Sequence, residues 1–95
     1  MEPPRGLPYA PYERLGAWLA AQPGERITLT FAEVERILGH RLPPSAWTTS
    51  TWWWHAEQRQ QIAGRVWLAA GWRLADVDRR GARVTYVRHH PVEAS

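Results

Sequence analysis

Residues 25–39 read ERITLTFAEVERILG, and this stretch contains the clearest structural signals in the chain. Apolar and polar residues alternate up to Thr30, which predicts a short, half-buried strand. Thr30 is followed three residues later by Glu33, a spacing typical of the capping box at the start of a helix. Gly39, directly after Leu38, is typical of a helix C-terminus. We therefore predict a strand that passes directly into a short helix.

Two further helices are predicted on either side of this unit. Apolar residues at helical spacing favour a first helix over 12–21 and a third substantial helix over 57–70. Between them, Ser45 is predicted to cap a short turn that reaches Ser50. The run TWWWH at 51–55 is rich in β-branched and aromatic residues, which favours an extended segment.

The end of the chain has the pattern of a β-hairpin. Strands are predicted over 72–78 and 83–88, joined by a turn around Arg79-Arg80-Gly81. Asp78 suits the first position of a type I turn, and Gly81 is expected to take the left-handed conformation that such a loop needs.

Without the extended segment, the predicted order is helix–strand–helix–helix–strand–strand. This is the order of a winged helix, in which three helices pack on a small antiparallel sheet and the last hairpin forms the wing. We therefore predict an α+β, winged-helix-like domain over 12–90, preceded by an extended Pro-rich arm over 1–11 and followed by a tail over 91–95. An unrelated α+β domain can share this order.

Composition narrows the classes of protein that fit. The 95 residues include no Cys, which excludes disulfide scaffolds, thiolate zinc sites and cysteine nucleophiles. No apolar run approaches the roughly 20 residues that span a bilayer, and the N-terminus lacks a signal-peptide core. The helices also lack the long basic amphipathic face of a membrane-bound segment. A cytoplasmic domain without membrane contact is expected.

Charge and aromatic content are both unusual. All 12 basic residues are Arg, and Trp occurs seven times. Residues 1–48 contain five Arg and five Glu and are neutral, whereas residues 49–95 contain seven Arg and four acidic residues, which gives the net charge of +3. The Arg bias also fits a GC-rich genome. A basic C-terminal half nevertheless suits a polyanion-binding face, because guanidinium groups grip phosphates and stack on flat rings.

The Trp-rich segment supplies the candidate binding residues. In an extended strand Trp53 would face away from Trp52 and Trp54. One of these faces, together with Trp47, is expected to be exposed beside Thr and Ser hydroxyls, an arrangement that suits a base and its phosphate. Arginines and a glutamine of the third helix and the hairpin would add base-edge and phosphate contacts. The predicted nucleic-acid-binding residues are Trp47, Thr48, Thr49, Ser50, Thr51, Trp52, Trp53, Trp54, His55, Arg59, Gln61, Arg65, Arg79, Arg80 and Arg83.

Several fixed points together resemble a small bacterial winged-helix-like domain family of unsettled function. They are YExL at 12–15, ITLTFxEVExILG at 27–39, LPxSA at 42–46, WW at 52–53, WLxAGW at 67–72, VD at 77–78 and VTY at 84–86. Members occur alone and beside restriction-type or nuclease modules, so the resemblance implies DNA as the ligand. Two departures imply different ligand contacts here. Trp47–Ser50 stand where the family tends to carry basic residues, and His55 stands where it often has Asn.

We therefore predict a DNA-binding module for double-stranded DNA, with cytosine-methylated DNA as a candidate ligand whose 5-methylcytosine would enter an aromatic pocket. The alternative is a protein-interaction module, because Trp and Arg also anchor protein interfaces. Its partner would be a second copy, as a homodimer, or an associated nuclease-type protein. An enzyme is not expected. His55 and Glu57 lie two residues apart, but no nucleophile, phosphate-binding loop or metal-ligand spacing accompanies them, and no cofactor is predicted.

Overall fold

The computed structural model describes residues 9–59 and 62–89, so the predictions for residues 1–8, for Gln61 and for the tail over 91–95 lie outside the described residues. The described elements are α1 (Tyr9–Ala20), β1 (Arg26–Thr30), α2 (Phe31–Leu38), α3 (Pro44–Thr48), α4 (Thr51–Gln58), α5 (Ile62–Ala69), β2 (Trp72–Asp78) and β3 (Arg83–Arg88). The three strands form one antiparallel sheet in the order β1-β3-β2. An α+β domain with a small antiparallel sheet is therefore confirmed.

The junction between β1 and α2 has the predicted capping box. The backbone N–H of Glu33 donates to Oγ1 of Thr30 at 3.0 Å, and the Thr30 N–H donates to Oε1 of Glu33 at 2.8 Å. Gly39 ends the helix with a φ of 85°, and its N–H donates to the carbonyl of Glu35 at 2.8 Å. Local side-chain and backbone bonds thus determine both ends of α2.

The hairpin strands have the predicted bounds, but the left-handed residue of the turn is Ala82, with a φ of 54°, and not Gly81. Oδ1 of Asp78 accepts the N–H of Gly81 at 3.0 Å, and the Ala82 N–H donates to the Arg79 carbonyl at 3.2 Å. These bonds close the turn over 79–82, and the left-handed residue lies one position later than predicted.

The prediction of an extended segment over 51–55 is wrong, because these residues begin α4. The backbone N–H groups of Trp53 and Trp54 donate to the carbonyl of Ser50 at 3.0 and 3.2 Å. The Trp53 ring stacks on Phe31 at 5.1 Å and on Trp67 at 6.1 Å between ring centroids. Burial of this ring from a helix outweighs the β preference of the local sequence.

Three helix boundaries also differ from the prediction. Helix α1 begins at Tyr9, so residues 9–11 are not an extended arm; Pro11 fits the first turn because the first N–H groups of a helix lack intrahelical partners. Pro43, not Ser45, is the N-cap residue of α3, and Pro44 occupies the first helical position, where the fixed φ of proline is suitable. The helix predicted over 57–70 is divided, because α4 ends at Gln58 and α5 begins at Ile62.

The core lies between the helices and one face of the sheet. Its largest fully buried side chains are Trp53, Trp67, Trp72, Tyr86, Phe31, Leu15, Leu19, Leu38, Leu74, Val34 and Val84. Each of the three buried indoles has an acceptor for its N–H: the Ala46 carbonyl for Trp53, Glu57 for Trp67 and the Leu19 carbonyl for Trp72. Satisfied N–H groups let three large rings occupy the interior of a small domain. Across the described ranges, no helix combines the length and apolar character that crossing a membrane requires.

Candidate nucleic-acid interface

The aromatic residues form one continuous cluster that runs from the surface through the core. The Trp47 ring meets the Phe31 ring edge-on at 5.2 Å, Phe31 stacks on Trp53, and Trp53 meets Trp52 edge-on at 5.0 Å. The centroid of the Trp52 ring in turn lies 6.5 Å from that of the half-buried Tyr12 ring. Most of this cluster is interior packing.

The structure separates the predicted aromatic site residues by exposure. Trp53 is 0% exposed, so no base can reach it. Trp52 and Trp54 are half-buried against the core on α4, and His55 is exposed on the same helix. Trp47 is 38% exposed, the large hydrophobic side chain that the described chain leaves most accessible. Of the four candidates with indole rings, Trp47 is therefore best placed to touch a ligand.

Trp47 is held in a fixed orientation by Glu35 on α2. Its indole N–H donates to Oε2 of Glu35 at 2.9 Å, and the same oxygen accepts the backbone N–H of Leu42 at 2.8 Å. The edge-on contact with Phe31 restrains the ring from a second direction. The exposed ring is thus preorganised, which lowers the entropic cost of binding a flat ligand.

A groove of about 640 Å³ opens beside this ring. It is lined by Glu35, Arg41, Leu42, Pro44, Trp47 and Thr48. Four of these six residues were absent from the predicted site. The sequence contains one signal for this groove. Glu35 lies four residues after Phe31, so its carboxylate is on the same side of α2 as a core aromatic ring.

Two of the four hydroxyl groups in the predicted site make local hydrogen bonds with the backbone. Oγ1 of Thr48 donates to the Pro44 carbonyl at 3.2 Å, and Oγ1 of Thr49 accepts the N–H of Thr51 at 3.0 Å. Ser50 precedes α4 and makes no side-chain capping bond there. The hydroxyl groups of Thr48 and Thr49 therefore stabilise the backbone between α3 and α4.

The candidates from the predicted third helix do not share one helix. Arg59 is the exposed residue that ends α4, whereas Arg65 is exposed on α5 and lines a groove of about 350 Å³ between α5 and α1. Gln61 lies outside the described residues. Contrary to the prediction, Arg59 and Arg65 therefore do not lie together on one helix.

Three of the predicted Arg residues lie in the hairpin turn or directly after it. Arg79 and Arg80 are exposed, and Arg83 forms an ion pair with Asp78 at 3.4 Å. The pKa of Asp78 is lowered, first by the hydrogen bond from the Gly81 N–H and then by Arg83. A charged Asp78 therefore braces the turn and pairs with Arg83, while Arg79 and Arg80 are exposed at the tip.

Phe31 connects the hairpin turn with the Trp47 groove. Its backbone N–H donates to the Ala82 carbonyl at 2.7 Å, while its ring contacts Trp47. The turn carrying Arg79 and Arg80 and the exposed indole therefore contact the same residue at the start of α2. Two groups of predicted site residues that lie far apart in sequence are joined through it.

Other charged groups have structural partners. The guanidinium group of Arg88 lies 4.2 Å from the centroid of the Trp72 ring and donates to the carbonyls of Gly24 and Gln22 at 2.8 and 2.7 Å.

His55 and Glu57 lie two residues apart on α4, a spacing at which helical side chains do not face each other. Among the described residues, no three His, Asp or Glu side chains are grouped as a metal site would require.

The architecture defines a small α+β domain with a three-stranded antiparallel sheet and a terminal hairpin. A family model described as a domain of unknown function (DUF7662) matches residues 12–90, so the chain belongs to that family. The expected membership of a domain family of unsettled function is therefore confirmed, while the winged-helix assignment and the association with nuclease modules stay predictions. No curated protein and no solved structure matches the chain.

Proposed function

We propose that this domain binds double-stranded DNA as a winged-helix-like module, with the β2–β3 hairpin as its wing. The sheet order β1-β3-β2 and the helix–strand–helix start of the chain agree with that architecture. A function in DNA binding also agrees with the positive charge of the C-terminal half.

The observation that carries the proposal is the arrangement of the hairpin turn. Arg79 and Arg80 are exposed at its tip, while Asp78 pairs with Arg83 and holds the turn in shape. Two guanidinium groups on a braced turn can each contact a phosphate without a large loss of backbone freedom. Such contacts position a protein on DNA independently of sequence. Arg59 and Arg65 are the remaining candidates for base contacts.

The test compares Arg79→Ala/Arg80→Ala with the matched control Arg26→Ala/Arg36→Ala, which removes the same charge from two other exposed positions. Binding of a short duplex is followed by fluorescence anisotropy at several salt concentrations. We expect the hairpin variant to bind more weakly to every sequence and to reduce the slope of log K against log salt by about 2, because each lost phosphate contact removes about 0.9. Equal slopes for both variants, or no salt-dependent binding by the wild type, would overturn the proposal.

The 5-methylcytosine hypothesis is specified further by the exposure of Trp47. The exposed Pro44 lines the groove beside this ring and offers apolar contact to a methyl group. We expect a cytosine-methylated duplex to bind more tightly than the plain duplex at fixed salt, and Trp47→Leu to remove the difference. Equal affinity for both duplexes would reject methyl recognition and leave DNA binding intact.

The alternative function, a protein-interaction module, is favoured by the same exposed indole, since Trp is enriched at interface anchors. Size-exclusion chromatography with and without duplex separates the two functions. A dimer that Trp47→Leu dissociates and that ignores DNA would support the interaction module.

A further inference from the structure

The groove beside Trp47 has the chemistry of a site for a single flat, polar ligand. The indole is exposed but cannot rotate freely, because Glu35 accepts its N–H and Phe31 contacts its ring. A fixed, accessible indole is the kind of surface on which nucleic-acid bases stack. At about 640 Å³ the groove is within the range of small-ligand sites and has room for one base and part of its sugar.

The acceptor in this groove is the carboxylate of Glu35. Both of its bonds to described residues, from the Leu42 N–H and the Trp47 indole N–H, use Oε2. A carboxylate has about four acceptor positions on two oxygens, so Oε1 retains capacity for a donor on the ligand. A carboxylate accepts the exocyclic amino group of cytosine, whereas the O4 carbonyl of thymine is itself an acceptor and would be repelled.

The remaining groups complement a nucleotide. Arg41 is exposed and lines the groove, where its positive charge suits a phosphate. The exposed Pro44 supplies apolar surface next to the ring. Phe31 contacts both the groove, through its ring and Trp47, and the hairpin turn, through its backbone N–H and the Ala82 carbonyl. A DNA molecule bound by the turn would therefore have one strand near the groove.

We propose that this groove binds one unpaired nucleobase that carries an exocyclic amino group, stacked on Trp47 and hydrogen-bonded to Oε1 of Glu35. The ligand class is DNA with an extruded or unpaired cytosine, adenine or guanine, in preference to thymine, which has no exocyclic amino group. This inference rests on the proposed DNA-binding function and adds a base-specific site to it.

The experiment uses the full chain and short duplexes with one unpaired cytosine, one unpaired thymine or one abasic position. Affinities are measured by fluorescence anisotropy at fixed salt. We expect the cytosine duplex to bind about tenfold more tightly than the thymine duplex, since one good base contact gives about that discrimination. Trp47→Leu should bring all three duplexes to the abasic affinity, whereas Trp18→Leu, the same replacement at a half-buried ring of α1, should keep the preference.

Glu35→Gln is the sharper variant, because it keeps the groove intact. Its amide oxygen can still accept from Leu42 and Trp47, but the other amide position becomes an N–H donor. The preference should therefore reverse toward the thymine O4 carbonyl. Glu13→Gln, which removes the same charge from an exposed position on α1, should leave the cytosine preference unchanged.

The outcomes separate this inference from the proposed function. Equal affinity for the cytosine, thymine and abasic duplexes, with binding that still depends on Arg79 and Arg80, overturns the base site alone. An unchanged preference in Glu35→Gln also overturns it. If no duplex binds, the proposed function fails as well. If Trp47→Leu alters self-association without any effect of the unpaired base, the groove is an interface between proteins and the inference is wrong.

Discussion

The indole N–H of Trp67 donates to Oε2 of Glu57 at 2.9 Å, and the same oxygen accepts the backbone N–H of Leu74 at 2.5 Å. Glu57 thereby joins α4 to α5 and to β2 through a single half-buried carboxylate. Trp67 is fully buried, so water cannot replace this acceptor. A residue that the sequence offered as a candidate acid or base beside His55 thus has a structural role at the centre of the fold.

Glu57→Ala is expected to lower the free energy of unfolding by about 2–4 kcal/mol, because each of two donors loses its acceptor and a buried unsatisfied donor costs about 1–3 kcal/mol. Glu57→Gln should lose less, since its amide oxygen can still accept from both donors. Urea denaturation of the two variants and the wild type measures the difference. Equal losses in both variants would show that the charge of Glu57, and not its acceptor oxygen, stabilises the fold.

Gly64 is where α5 comes closest to α4. A Cβ at this position would overlap the backbone carbonyl of Ala56 and lie 2.7 Å from Cα of Glu57. At Gly16 a Cβ would instead lie 2.5 Å from the side-chain methyl Cγ1 of Val66, and a side chain can adjust more easily than backbone. Gly64→Ala should therefore lower the free energy of unfolding by roughly 2–3 kcal/mol, within the usual cost of overpacking. Gly16→Ala, the matched variant, should lose clearly less, and thermal unfolding of the pair would reveal any reversal of this order.

The elements that the sequence predicts well are those determined by neighbouring residues. The capping box of Thr30 and Glu33 involves atoms three residues apart. The bonds that close the hairpin turn, from Gly81 to Asp78 and from Ala82 to Arg79, also span three residues. The sequence therefore contains the whole signal for α2 and for the bounds of the hairpin strands. These are also the parts that place Arg79 and Arg80 at an exposed turn.

The parts that the sequence predicts badly depend on contacts between distant residues. Trp53 lies in a helix because Phe31 and Trp67 enclose its ring, and local β preference contains no trace of either partner. The groove likewise depends on Glu35 accepting the indole N–H of Trp47 from a different helix. Composition identified the surplus of indoles, but only packing decides that Trp47 is exposed and Trp53 is not.

Ala82 provides a test of the turn geometry. Its φ of 54° lies in the left-handed region, which costs an L-residue roughly 1–2 kcal/mol. Ala82→Gly removes this cost but adds about 0.4–1 kcal/mol of unfolded-state entropy, so a net gain of about 0.5 kcal/mol is expected. Gly39→Ala, at a φ of 85°, should change stability in the opposite direction. A lower midpoint of thermal unfolding for Ala82→Gly would mean that the turn does not have this conformation in solution.

The buried hydroxyl of Tyr86 should make the stability of the fold depend on pH in the alkaline range. Its hydroxyl is buried and finds no hydrogen-bond partner in the described part of the chain, and its ring lies 5.2 Å from Trp67. Burial, and then the negative charge of Glu57, raise its pKa well above the ordinary value of 10.0. Below pH 10.0 both folded and unfolded chains keep this proton, so stability is unaffected there. Above it the unfolded chain loses the proton first, and the wild type should lose up to about 1.4 kcal/mol of stability per pH unit.

Tyr86→Phe should remove that part of the alkaline dependence. At neutral pH the variant should be as stable as the wild type or more stable by up to about 1 kcal/mol, because a buried hydroxyl without a partner is no longer desolvated. Tyr12, whose pKa is also raised by partial burial, should leave a shallower decline, which Tyr12→Phe isolates. The measurement is urea denaturation from neutral pH to above pH 10.0, with the three proteins compared at each pH. Parallel curves for wild type and Tyr86→Phe would mean that this hydroxyl reaches solvent or an acceptor, and the network around Glu57 would then have to be more open than its two hydrogen bonds imply.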